Sequence, residues 1–184
     1  MKKVLAALIM VAFIMPAFVA CKKGAEDPSI SLASRNGRLI AIWKLTKMEG
    51  TYTYVSGGTI YTRTYAFDGT TYSETLSPGG LSWSGTGNYQ MEVAKDGILT
   101  FSESYTPSGG SADVLSGEDF WYWAGNDNNK IAVYLGAGGD NLFWGGQYNI
   151  LKLSSKELIL TLYYKDVDNG EATVADISWT FTAQ

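Results

Sequence analysis

Apolar and polar residues alternate along most of this chain, which is the period of a strand with one face buried. In Ile177-Ser178-Trp179-Thr180-Phe181-Thr182 the apolar side chains fall on one side and the hydroxyls on the other. Leu158, Leu160 and Leu162 alternate with Ile159, Thr161 and Tyr163, and Leu99 and Phe101 with Thr100 and Ser102. The alternation predicts strands near 41–48, 51–55, 59–67, 70–76, 86–94, 98–105, 118–124, 130–135, 147–153, 157–164 and 174–182. Between them lies turn chemistry: Ser56-Gly57-Gly58, Asp68-Gly69, Lys95-Asp96-Gly97, Gly125-Asn126-Asp127-Asn128-Asn129 and Asp168-Asn169-Gly170. Asp-Gly and Asn-Gly supply the positive φ that tight hairpin turns need. Residues 29–39 depart from the alternation, with Ile30, Leu32, Ala33 and Leu39 at helical spacing. They predict a helix of one or two turns, weakened by Gly37, with Asp27 or Ser29 as its cap and Pro28 in its first turn.

Short links of this kind join consecutive antiparallel strands, so the expected topology is an up-and-down meander. An open meander leaves two unpaired edges, and closing the sheet removes both. The expected fold is therefore all-β: an antiparallel meander closed into a β-barrel, with a short N-terminal helix. A two-sheet sandwich needs longer crossing connections than most of those present. Phe120-Trp121-Tyr122-Trp123 carries aromatic rings on both faces of one strand. One face belongs to the core; the other requires water, a covering element or a ligand.

The chain opens on a different pattern. Lys2 and Lys3 precede an apolar run from Val4 to Phe13, and Pro16 and Ala20 come before Cys21. A basic start, an apolar centre and a small-residue cleavage site make an export signal. The run is shorter than the roughly 20 residues of a membrane-spanning helix. Phe18-Val19-Ala20-Cys21 resembles a bacterial lipobox, with Phe18 where Leu is usual. That resemblance implies a lipoprotein signal peptide over 1–20 and acylation of Cys21. The partner is then a membrane, held through N-terminal acyl chains, and the expected location is the cell envelope at the outer membrane. Residues 21–35 read as a lipid-anchored tether and 36–184 as the barrel domain. Cys21 is the one cysteine of the chain, so the domain relies on its core without a disulfide.

Without residues 1–20 the net charge is 12 − 18 = −6, because two of the 14 basic residues and none of the 18 acidic ones leave with them. An acidic chain with no basic cluster excludes nucleic acid as the expected partner. The chain has no histidine, which removes Ser-His-Asp and Cys-His catalysis and the commonest metal ligand. A lipid on Cys21 removes thiolate chemistry and zinc–sulfur sites as well. Glu118 and Asp119 are neighbours in a predicted strand and point to opposite faces, so they make no carboxylate pair for glycoside hydrolysis. Asp166-Val167-Asp168-Asn169-Gly170-Glu171 puts Gly fifth and Glu sixth, where a calcium loop requires a ligand and then Gly. Gly136-Ala137-Gly138-Gly139-Asp140-Asn141 lacks the third glycine and following helix of a dinucleotide site, and reads as a connection at a barrel mouth. No enzyme activity, metal or cofactor is expected.

Aromatic residues remain as the candidate chemistry. Trp83, Trp121, Trp123 and Trp144 sit near Gly-rich segments, where an indole can contact an apolar ligand or stack on a sugar. The same rings also serve as ordinary wall and core packing. Trp43 reads as a plug at the barrel base.

Arg38-Leu39-Ile40-Ala41-Ile42-Trp43-Lys44-Leu45 resembles the opening of lipocalin-like domains, where a short helix leads into a first strand bearing a Trp. Tyr148-Asn149-Ile150-Leu151-Lys152-Leu153-Ser154-Ser155-Lys156-Glu157-Leu158-Ile159-Leu160 resembles the late hairpin of small lipocalin-like bacterial lipoproteins. The resemblance spans residues 36–184. It departs at Ala41, where the signature has Gly, and no Arg follows Lys165, so the base must close in another way. It implies a cup open at one end that binds a small hydrophobic or amphipathic ligand without chemistry. The alternative is a surface interaction module or glycan-binding protein that uses exposed aromatics, or the Gly/Ser/Asn-rich loops at 77–87, 106–117 and 136–146.

Overall fold

The computed structural model describes Asp27 and residues 33–125, 130–136, 142–168 and 171–184. The signal segment 1–20, Cys21 and most of the tether lie outside the described residues. Among the described residues one short helix, α1 (Arg35–Leu39), precedes ten strands: β1 (Ile42–Ser56), β2 (Thr59–Phe67), β3 (Thr71–Ser77), β4 (Leu81–Val93), β5 (Ile98–Pro107), β6 (Asp113–Ala124), β7 (Ala132–Leu135), β8 (Gly146–Leu153), β9 (Glu157–Asp168) and β10 (Glu171–Ala183). Each strand pairs antiparallel with the next, and β10 returns to β1, so the up-and-down sheet closes in a ring.

The two strands expected at 41–48 and 51–55 are one. β1 runs through Gly50, whose φ of +155° lies outside the range most side chains adopt and whose missing Cβ would stand 2.3 Å from the Asp176 carbonyl oxygen. Glycine here is a close approach to β10, not a break. The helix is capped by Ser34, whose hydroxyl accepts the Gly37 N–H at 3.1 Å. The Asp27 side chain holds Arg35 instead of capping, and Ser29 lies outside the described residues.

Two expected loops are mostly strand. Residues 81–87 extend β4, and 113–117 extend β6. Their glycines make room for rings across the sheet: a Cβ on Gly85 would meet Tyr105 Cε2 at 2.7 Å, and one on Gly117 would meet Phe101 Cε1 at 2.8 Å. A glycine opposite a ring in a strand looks, in sequence, like a glycine in a loop.

The ring is not uniform along its height. At one end β1 pairs directly with β4, through Ile42↔Glu92, Trp43↔Met91 and Lys44↔Gln90. A bulge between Leu45 and Lys47 then turns β1 away, and from Met48 to Ser56 it pairs with β2. The β2–β3 hairpin is thus wedged between β1 and β4 over the upper half only. The ring is ten strands around at the top and, without β2 and β3, eight at the base. Eight strands enclose a space that side chains just fill, and the diameter grows with strand number.

The base is filled accordingly. Trp43, Leu45, Leu99, Leu153, Leu158 and Phe181 are all 0% exposed. Trp43 donates its indole N–H to the Leu39 carbonyl at 2.8 Å, which ties the plug to α1. Asp27, in the stretch read as a tether, is buried there too: its carboxylate accepts Arg35 Nη1 at 2.6 Å and the Leu153 N–H at 2.7 Å. Arg38 donates to the Leu153 carbonyl at 2.8 Å. In the absence of an Arg after Lys165, the base is closed by the arginines of α1.

Candidate functional site

The connection from β7 to β8 shapes the interior. Residues 137–141, read as a connection at a barrel mouth, lie outside the described residues; Leu142 and Phe143, which follow them, are 0% exposed and lie inside the ring. The Leu142 N–H is taken by Glu103, itself buried on β5, at 3.0 Å. Its carbonyl accepts the Trp179 indole N–H at 3.1 Å. Phe143 packs against Tyr89, Tyr148, Trp179 and Phe181, with ring centroids 5.1–5.7 Å apart. This plug fills the middle of the ring, against β4, β5, β8 and the Trp179–Phe181 part of β10.

The wide end beyond the plug stays open. A cavity of about 920 Å³ lies between β1, β2, β9 and β10, lined by Tyr52, Tyr54, Arg63, Tyr65, Trp144 and Leu162, with Tyr164 and β10 side chains completing the wall. The alternation of β1 places Tyr52 and Tyr54 on the face that carries Trp43 and Leu45 below. The register pairs Tyr52 with Arg63 and Tyr54 with Tyr61, so all four share the inner face. Trp144 closes the floor, edge-on to Tyr65 at 5.4 Å and to Trp179 at 5.7 Å. The wall is aromatic and hydroxylated, a composition suited to a small ligand with both apolar and polar parts.

Among the described residues of that lining, Arg63 is the charged one. Its Nη1 donates to Glu74 Oε1 at 2.8 Å, and the Tyr72 hydroxyl donates to Glu74 Oε2, also at 2.8 Å. Partial burial disfavours the guanidinium charge, but the Glu74 carboxylate and the Tyr54 hydroxyl outweigh it and raise the Arg63 pKa. Burial, reinforced by Glu74, raises the Tyr65 pKa, so this hydroxyl stays protonated at neutral pH. Burial does the same to Tyr89 and Tyr148 in the plug region.

The four indoles expected as candidate contacts do not come together. Trp144 lines the cavity. Trp121 and Trp123 lie edge to face, 6.0 Å apart, near the base. Trp121 donates to the Ala94 carbonyl at 2.7 Å and Trp123 to Asn36 Oδ1 at 2.7 Å, so both hydrogen-bond donors serve the scaffold. Trp83 stands on β4, 44% exposed and away from the cavity lining. The outer face of the Phe120–Trp123 segment is what remains uncovered. Phe120 and Tyr122 are exposed and stack with Tyr134 of β7, rings within 17° of parallel and 4.8–6.0 Å apart.

The tyrosine wall was missed because each tyrosine fits ordinary strand alternation. Arg63 carried the one usable signal, a charge between Tyr61 and Tyr65 on the inward parity. Cys21 lies outside the described residues. Among those residues no cluster of acidic or thiol side chains is fit to hold a metal, and no helix is long and apolar enough to cross a membrane. No protein-family model, curated protein or solved structure matches the chain.

Proposed function

We propose that this is a lipid-anchored envelope protein, lipocalin-like in design, that binds a small amphipathic molecule in the wide end of its ring and does no chemistry on it. The observation that carries the reading is the 920 Å³ aromatic cavity left open above a base that is packed solid. A cavity of that size suits a drug-sized ligand. The filled base and inserted plug fit a receptacle with a single entrance.

The anchor gives this receptacle an orientation. Asp27 is fixed in the base six residues after Cys21, and six residues of chain reach at most about 20 Å. Acyl chains on Cys21 would hold the closed base near the bilayer and leave the cavity mouth on the far side. The ligand would then arrive from the aqueous side.

Native mass spectrometry of the full chain purified from its own cells tests both halves. The expected result is a stoichiometric small molecule released by solvent, and an N-terminal peptide that begins at Cys21 with acyl mass. An empty protein that takes up no hydrophobic dye would sink the carrier reading, and an unacylated N-terminus would sink the anchor.

A second reading, binding of glycans on the outer surface, is favoured by the exposed rings of Phe120, Tyr122 and Tyr134. It predicts retention on immobilised polysaccharide that disappears in Tyr122→Ser. Equal retention of this variant and the parent would dismiss it.

A further inference from the structure

We infer that the cavity selects an amphipathic anion, whose acidic head pairs with Arg63 while its apolar part lies along Tyr52, Tyr54, Tyr65 and Trp144. This rests on the proposed cavity function and adds the chemical class of the ligand.

Three observations carry it. First, Arg63 is the charged side chain of the lining and keeps 39% of its side-chain surface exposed, whereas its partner Glu74 keeps 12%. Second, both Glu74 oxygens are already engaged, Oε1 by Arg63 and Oε2 by the Tyr72 hydroxyl. Both acceptor oxygens of Glu74 are thus occupied, and the more exposed member of the pair is the cation. A guanidinium has five N–H donors in a planar fork, more than the Glu74 carboxylate and the Tyr54 and Tyr65 hydroxyls take up, which leaves donors for a carboxylate, sulfonate or phosphate. Third, Glu74 lies outside the lining, so in a cleft otherwise uncharged among the described residues the exposed edge of the Arg63 guanidinium is where an anion is most favoured.

The energetics point the same way. A wholly apolar ligand would cover the remaining guanidinium donors without replacing their water, which is costly for a charged group. A cationic ligand would meet like charge. An anion satisfies the donors with charge-assisted hydrogen bonds, and its apolar body buries against the tyrosines. Asp166 stands across from Thr173 of the lining, just beyond the lining itself, and its carboxylate accepts the Tyr164 hydroxyl at 2.9 Å.

Two dyes with one ring skeleton separate head from body: anionic anilinonaphthalene sulfonate and neutral N-phenylnaphthylamine. Titrated into the full chain, the sulfonate should bind about tenfold more tightly and weaken as salt is raised, while the neutral dye ignores salt. Arg63→Gln should erase the sulfonate's advantage, so that the two dyes bind alike and neither responds to salt. Glu74→Gln keeps an acceptor for Tyr72, releases Arg63, and should tighten sulfonate binding several-fold. If Arg63→Gln does not fold, Glu74→Gln and the salt series decide. Equal affinity for both dyes, with no response to either variant, would overturn the anion assignment but leave the cavity reading in place. Failure of both dyes to bind would overturn both.

Discussion

The two ends of this ring are built from the same alternating strands and differ in how far apart their walls stand. At the base β1 meets β4 directly, and Trp43, Leu45, Leu99 and Phe181 leave no exposed surface. Above the bulge at Leu45/Lys47 the β2–β3 hairpin enters, and the same inward positions of β1 are Tyr52 and Tyr54, which line open space. Inward parity therefore does not by itself make a residue part of the core. An inward side chain packs only where the opposite wall or an inserted segment is within reach. Here Leu142 and Phe143 fill the middle of the ring, and Trp144 beside them is the floor of the space left open.

This contrast predicts that variants of the base will change stability without changing binding, and variants of the wide end the reverse. The largest effect belongs to Asp27. Asp27→Ala leaves Arg35 and Arg38 buried without their counter-charge, and losing one partner of a buried pair costs about 3–5 kcal/mol. At this size that lowers Tm by on the order of 10 °C. A thermal scan checks it, and a shift below two degrees would mean that the arginines do not depend on this carboxylate. Phe143→Ala comes next. Removing a fully buried ring costs about 3–5 kcal/mol where the site cannot collapse, toward the lower end here because the plug borders open space. Denaturant unfolding checks the loss, and dye binding should survive in the folded variant.

Alkaline pH gives a smaller and more gradual effect. The pKa values of Tyr89, Tyr148 and Tyr65 are raised in the folded state, by burial first in each case. Their stabilising contribution is complete below the unfolded tyrosine value near 10 and is lost as pH rises above it toward the folded values. Tyrosinate absorbance should therefore show a late, cooperative rise that coincides with loss of the fold. A single smooth titration with the fold intact would contradict the burial of the plug. The smallest expected effect is Trp83→Ala, below about 0.5 kcal/mol on stability, as for most exposed substitutions, and none on dye affinity.

The strand ladder was legible in the sequence because period-two alternation and Asp-Gly turns act locally. Asp68 illustrates it: its carboxylate accepts the Thr70 and Thr71 N–H groups at 3.0 and 2.7 Å, the turn that the dipeptide predicts. What escaped were features set by distant partners. Gly50 and Gly85 looked like breaks, because their neighbours, Asp176 and Tyr105, are far away in sequence. Asp27 looked like tether because its partners at Arg35, Arg38 and Leu153 converge only on folding. Of the candidate indoles only Trp144 reached the cavity, and its tyrosine neighbours were indistinguishable from wall residues until the hairpin wedge was seen to widen the ring.

The most direct test of the division between scaffold and receptacle is quenching of tryptophan fluorescence by a brominated fatty acid. Bound in the wide end, the bromines lie beside Trp144 and just above Trp179, which sits 5.7 Å from it. Most of the quenching should vanish in Trp144→Phe and persist unchanged in Trp121→Phe, whose indole lies at the base. Quenching that survives Trp144→Phe, or that falls in Trp121→Phe, would place the ligand elsewhere and contradict the assignment of the cavity.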